Sequence, residues 1–150
     1  MRTARHNTPG VIYHVICQFV DKRWFFTSDR EREHYLRLLG KALEHTDWLC
    51  FAYALMSSHI HFGLIAGREP LETWAKRVNG PFAQWLNRGH NRKGPVFADR
   101  PADFAIPSHR QLDLIAYIHN NPVRAKLVER AVDSTWTSHR AYVGAAPRPP

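Results

Sequence analysis

Residues Trp48–Ala66 read WLCFAYALMSSHIHFGLIA. Two apolar runs of strand length flank the small polar pair Ser57-Ser58. Trp48 to Met56 and His59 to Ala66 therefore read as two strands joined by a tight turn, a β-hairpin. Upstream, Val11 to Val20 is apolar and β-branched and reads as another strand. Between these strands, Ser28 or Asp29 can cap a helix whose first turn is acidic at Asp29, Glu31 and Glu33. Tyr35, Leu38, Leu39 and Leu43 recur at helical spacing to about Thr46. Downstream of the hairpin, Leu71, Trp74, Val78, Phe82, Trp85 and Leu86 keep a helical period, with Gly80-Pro81 in its middle. Proline lacks the amide donor and crowds the preceding turn, so Pro81 is expected to kink or restart that helix. Arg88 to Gly94 is a basic loop, and Pro95 to Ile106 reads as irregular or as an edge strand. Ser108 caps a last helix with Leu112, Leu114, Ile115 and Ile118 on its buried side, which Pro122 ends. This order predicts an α+β sandwich of ferredoxin-like type, a mainly antiparallel sheet flanked by helices. We expect one domain over 1–143 and a flexible Ala/Pro-rich tail over 144–150.

The 150-residue chain carries 21 Lys and Arg against 13 acids, a net charge of +8. Such a surface attracts phosphate backbones over long range, and it also serves plain solubility. No apolar run reaches the ~20 residues of a membrane helix. Cys17 and Cys50 lie in apolar surroundings without metal or redox spacing, so reduced thiols and a cytoplasmic location are expected.

Three local features carry candidate chemistry. In His59-Ile60-His61, alternate strand residues share a face, so the two imidazoles point one way while Ile60, Phe62 and Leu64 point to the core. Two adjacent imidazoles suit a divalent metal, and a chance H-x-H on an exposed strand looks the same. In Tyr117-Ile118-His119-Asn120-Asn121-Pro122, residues Tyr117 and Asn121 stand one helical turn apart. Asn121 could present its amide oxygen to a metal, and Tyr117 its phenol to a metal-bound phosphate. A packing tyrosine followed by an Asn cap has the same pattern. Between Trp74 and Lys93, the cations Lys76, Arg77, Arg88, Arg92 and Lys93 interleave with Trp74, Phe82 and Trp85. The cations suit phosphates; the aromatics, at helical spacing, suit the core.

Several of these stretches together resemble the REP-associated tyrosine transposases. Pro9-Gly10-Val11-Ile12-Tyr13-His14-Val15 is similar to the family's opening strand. Ala52 to Phe62 is similar to the segment in which the family usually has Met-Pro-Asn before its H-x-H. Val78-Asn79-Gly80 with Trp85-Leu86-Asn87-Arg88 resembles its middle helix. Tyr117 to Ala125 with Leu127-Val128 resembles its tyrosine helix, and Trp136 to Tyr142 its C-terminal segment. The family belongs to the single-tyrosine branch of the HUH nucleases. The resemblance implies His59 and His61 as metal ligands, with Asn121 completing the site, and Tyr117 as nucleophile. It implies single-stranded DNA beside a hairpin as partner. Mg²⁺ or Mn²⁺ fits the role of binding a scissile phosphate, and two imidazoles would also tolerate Zn²⁺, so the ligands alone do not settle the metal. The nucleic-acid contacts expected are Lys76, Arg77, Arg88, Arg92, Lys93, Arg100 and Arg124. One tyrosine per chain leaves a monomer or a homodimer open.

The chain departs from the family pattern in places. Ser57-Ser58 replaces Pro-Asn, a change expected to alter only the hairpin turn. Pro81 interrupts the middle helix, and Pro101-Ala102-Asp103 replaces a basic and aromatic run. Lys126 stands where glycine is common, so the turn after the tyrosine helix is expected to differ. Two rival readings share the basic surface: a non-catalytic hairpin-binding regulator, and a phosphodiesterase that uses water in place of tyrosine.

Overall fold

The computed structural model describes residues 7–144. The basic start, 1–6, and residues 145–150 of the expected tail lie outside the described residues. The chain order is β1 (Ile12–Gln18), α1 (Asp29–Glu44), β2 (Leu49–Leu55), β3 (His59–Ile65), α2 (Leu71–Gly89), β4 (Ala102–Ile106) and α3 (Gln111–His119). Two short helical turns follow, α4 (Asn121–Arg124) and α5 (His139–Tyr142). The four strands form one sheet in the order β2-β3-β1-β4. Every neighbouring pair is antiparallel. This is the expected split β-α-β arrangement: α1 crosses from β1 to β2, and β3 inserts between them.

Strand alternation gives the sheet two different faces. One face presents Tyr13, Val15, Cys17, Tyr53, Leu55, Ile60, Phe62 and Leu64 to the larger core. There α1 contributes Tyr35, Leu39 and Ala42, and α2 contributes Leu71, Trp74, Val78, Phe82 and Leu86. Trp48 and Trp74 stack at 5.3 Å within it. The other face presents Ile12, Ala52, Ala54 and Met56 to a smaller core, closed by Leu114 and Ile118 of α3. The sheet thus lies between α1/α2 and α3. Among the described residues no helix is long and apolar enough to cross a membrane.

Three sequence expectations change. α2 runs unbroken through Pro81. Val78, Phe82 and Leu86 anchor it on both sides of the proline, and Pro81 itself faces solvent. The preceding residue is Gly80, which offers the ring no Cβ to clash with. On α3, Leu112 is exposed, because Leu114 and Ile118, with Ile115 at the margin, are the side chains turned to the small core. Finally, α3 begins at Gln111 after a single 3₁₀ turn over Ser108–Arg110, and Ser108 makes no side-chain cap.

Candidate active site

The face under α3 carries the polar cluster. His59 and His61 sit on it as strand alternation requires, and β1 adds His14. In the β1–β3 register Ile16 opposes His61 and His14 opposes Gly63. His14 Nε2 and His61 Nδ1 lie 3.0 Å apart, and their rings stack at 5.2 Å. The His59 and His61 rings meet edge to face at 4.9 Å. Gly63 continues this face without a side chain, and the Phe51 ring lies 2.5 Å from where its Cβ would be.

Burial of Leu114 and Ile118 fixes the rotation of α3 about its axis. Tyr117, one residue from Ile118, is thereby turned to the border of the small core. Its ring lies 5.6 Å from His14 and 6.2 Å from His61. It is 46% exposed, so a substrate can reach it. Arg124 places its guanidinium 4.0 Å from the ring centroid and donates to the Tyr117 carbonyl at 2.8 Å. Asn121 Nδ2 donates to the same carbonyl at 3.1 Å. α3 ends at His119, so Asn121 opens the next turn instead of extending the tyrosine helix. The side-chain bond nevertheless keeps it beside Tyr117. Beyond His14 lies Phe104 of edge strand β4, 54% exposed, with the two rings 6.2 Å apart.

The imidazoles are prepared to act as neutral donors. Burial lowers the pKa of His14 and of His59. His61 is pushed down to about 3, by burial first and then by His59, His14 and Arg124. An uncharged imidazole offers a lone pair, which a metal ligand requires. On both H-x-H rings Nδ1 is held: that of His61 by His14, and that of His59 by the Ser58 hydroxyl at 3.1 Å. Nε2 of each ring makes no hydrogen bond with the described residues. One ring nitrogen held by a neighbour is also the usual support around metal-bound histidines. No group of three or more His, Cys, Asp or Glu side chains among the described residues is placed to hold a metal ion.

Ser58 corrects one expectation. The exchange at the hairpin turn reaches the site, because the Ser58 hydroxyl orients His59. Lys126 corrects another: it takes φ +60, the left-handed conformation a glycine adopts freely, so the turn after the tyrosine segment keeps a glycine-type path.

The remaining cations stand away from the cluster. Lys76 and Arg77 lie on α2, behind the sheet, and Arg77 pairs with Glu69 at 2.7 Å. Arg100 pairs with Glu72 of α2 at 2.8 Å. Arg92 bonds to Asn87, Gly94 and Pro95 and covers Phe25, so it holds its own loop together. Arg88 and Lys93 on the same stretch are exposed. The sequence reading missed His14, although a polar residue alternating with Ile12 and Ile16 on an otherwise apolar strand was its signal.

The C-terminal segment fastens α3 to the sheet. Leu55 N donates to Trp136 O at 2.8 Å and Ser138 N to Tyr53 O at 3.1 Å, so 136–138 pairs along the free edge of β2. The buried Ser138 hydroxyl accepts from Tyr53 N at 2.9 Å and meets His119 Nε2 at 2.7 Å. His119 Nδ1 in turn lies 3.3 Å from His139 Nδ1, and the Tyr142 hydroxyl donates to the Phe51 carbonyl.

The four-stranded antiparallel sheet with helices on both faces is a fold seen in two solved structures. A solved REP-associated tyrosine transposase bound to a REP hairpin matches with a TM-score of 0.71 and 15% identity, over 98% of this chain and 88% of that one. A transposase-type protein from Deinococcus radiodurans R1 matches with a TM-score of 0.51 and 15% identity, over 80% of this chain and 97% of that one. No protein-family model and no curated protein matches the chain. At this identity what is shared is the path of the chain, which is the fold expected from the sequence.

Proposed function

We propose that this chain is a transposase-type enzyme that cleaves and rejoins single-stranded DNA beside a hairpin, with Tyr117 as nucleophile. One observation carries the reading: an exposed tyrosine whose ring meets His14 and His61, with His59 beside His61 on the same sheet face. The fold and the +8 charge support it.

His59 and His61 with Asn121 are the residues that would hold Mg²⁺ or Mn²⁺. Such an ion supplies charge neutralisation at a nonbridging oxygen of the scissile phosphate. The chain's own residues do the rest. His14 and Ser58 fix the two imidazoles, and Arg124 fixes the Tyr117 ring. The Tyr117 oxygen attacks phosphorus in line, the bond from phosphorus to the 3′ oxygen breaks, and that oxygen takes up a proton. The phenol proton passes to solvent. The product is a tyrosine ester of the 5′ phosphate and a free 3′ hydroxyl. One phosphodiester replaces another, so the same groups run the step backwards onto a second 3′ end. Exposed Arg88 and Lys93 would bind flanking phosphates.

The test is incubation with a pool of hairpin-bearing oligonucleotides and Mn²⁺. A protein–DNA adduct that survives denaturing electrophoresis is expected, and it should vanish with EDTA. Cut DNA without an adduct would favour attack by water. Binding without cutting would favour a hairpin-binding regulator.

A further inference from the structure

Among the described residues Trp24 is the most exposed large apolar side chain after Leu112, at 69%. It is not displayed by a loose loop. Phe25 and Phe26, which follow it, are buried in the main core. Val20 N bonds to Val96 O at 2.8 Å, Lys22 N to Phe19 O at 3.2 Å and Arg23 N to Val20 O at 3.1 Å. Asp21 and Lys22 both take left-handed conformations, φ 54 and 53, with no glycine in the turn. Each such residue costs on the order of 1–3 kcal/mol and persists only where its surroundings impose it. Two residues in left-handed conformation thus stand directly before an exposed indole.

The position of the loop says what the indole meets. Phe19 N bonds to Ser58 O at 2.9 Å and Phe26 N to Ser57 O at 3.4 Å. The loop is therefore stitched to the turn whose Ser58 hydroxyl orients His59. On its other side Arg92 lies 4.9 Å from the Phe25 ring, and Arg23 lies 5.4 Å from it. That joins it to the basic stretch around Arg88 and Lys93. Lys22 and Arg23 precede Trp24 and are exposed. A flat ring flanked by cations, between a strand-cleaving site and a basic loop, has the composition of a single-strand binding platform, where cations track phosphates and an aromatic takes a base.

We propose that Trp24 stacks on one unpaired base of the DNA strand that runs between the His59–Tyr117 site and the basic loop. This rests on the DNA-cleaving reading and adds a base contact that none of the expected site residues supplies. The occupant is a nucleobase because the surrounding charge is positive; an apolar protein surface would gain nothing from Lys22 and Arg23.

The experiment measures binding alone, in EDTA, by tryptophan emission and fluorescence anisotropy. The probes are a short labelled oligothymidylate and the duplex it forms with oligodeoxyadenylate. Trp24→Ala should weaken oligothymidylate binding about 5- to 150-fold, the usual loss of one stacked base. Trp24→Phe should bind near the parent, and Trp24→Leu should fall with Ala, because stacking needs a flat ring. Duplex affinity should be unchanged in all three. Equal binding by Trp24→Ala, rescue by Leu, or a matching loss on duplex would overturn the proposal. So would a Trp24→Ala variant that changes the sedimentation of the free protein, which would place the indole between copies. A parent that binds no single strand at low salt would remove the DNA reading together with this one. A parent that binds and a Trp24→Ala variant that binds equally would remove this one alone.

Discussion

Replacing Ser138 by alanine removes one oxygen and strands two buried partners. The hydroxyl accepts from Tyr53 N and meets His119 Nε2, and residues 53, 119 and 138 are all at most 8% exposed. Water has no ready access to either orphan. Leaving a buried polar group unsatisfied costs about 1–3 kcal/mol, so two of them predict a loss of about 2–6 kcal/mol. For a chain of this size each 1 kcal/mol lowers the melting temperature by about 2–4 °C, which gives a fall of about 4–24 °C. His119 lies on α3 two residues from Tyr117, so the loss also loosens the seat of the tyrosine. Urea unfolding of parent and Ser138→Ala gives the stability, and the cleavage rate well below the melting temperature gives the effect on the site. His119→Phe in the Ser138→Ala background should cost less than the two changes summed, since they break the same contact. A Ser138→Ala variant within about 0.5 kcal/mol of the parent, the range of ordinary surface changes, would refute this account of how α3 is held.

His59→Ala and His61→Ala should each abolish cleavage while most DNA affinity remains, with Mn²⁺ titration calorimetry showing a much weakened site; parental cutting by either would remove the metal assignment. Binding to single strands should fall with salt at a log–log slope of about −0.7 per phosphate neutralised, and Arg88→Gln with Lys93→Gln should flatten it. An unchanged slope would take those two residues off the DNA path. Stability in EDTA should fall as pH drops from 7.5 to 5. Burial first, then nearby charge, holds His61 down to about 3 and His119 to about 4 in the folded chain, below the ordinary 6.5. The unfolded chain therefore binds more protons as pH falls below that value, and the stability present above it is progressively lost. A urea midpoint equal or higher at pH 5 would contradict the burial of these two rings.

The sheet was legible because its strands alternate and its helices keep their period over several turns. Ile60, Phe62 and Leu64 are at most 1% exposed, as the H-x-H alternation requires. Pro81 misled because local propensity at one position yields to three buried neighbours on the same helix face. Leu112 misled because a helix of nine residues turns so few positions inward that one apolar residue can fall outside. His14 was hidden for a different reason. A lone histidine on a strand acquires meaning only through register, and the pairing of β1 with β3 is set by the whole sheet. The Ser138–His119 contact joins positions 19 apart in sequence and on separate elements, and no periodicity links them. Trp24 was visible as a tryptophan after Lys22-Arg23, but its exposure depends on the left-handed turn before it.

The most direct test of the central claim is mass spectrometry of the protein after reaction with a 5′-flanked hairpin substrate and Mg²⁺ or Mn²⁺. The account predicts a nucleotide attached through its 5′ phosphate to the peptide that contains Tyr117. Tyr117→Phe keeps the ring against His14 and removes only the hydroxyl. That variant should fold, bind DNA, retain the metal, and give neither adduct nor free 3′ end. An adduct on another residue, or robust cutting by the Phe variant, would contradict it.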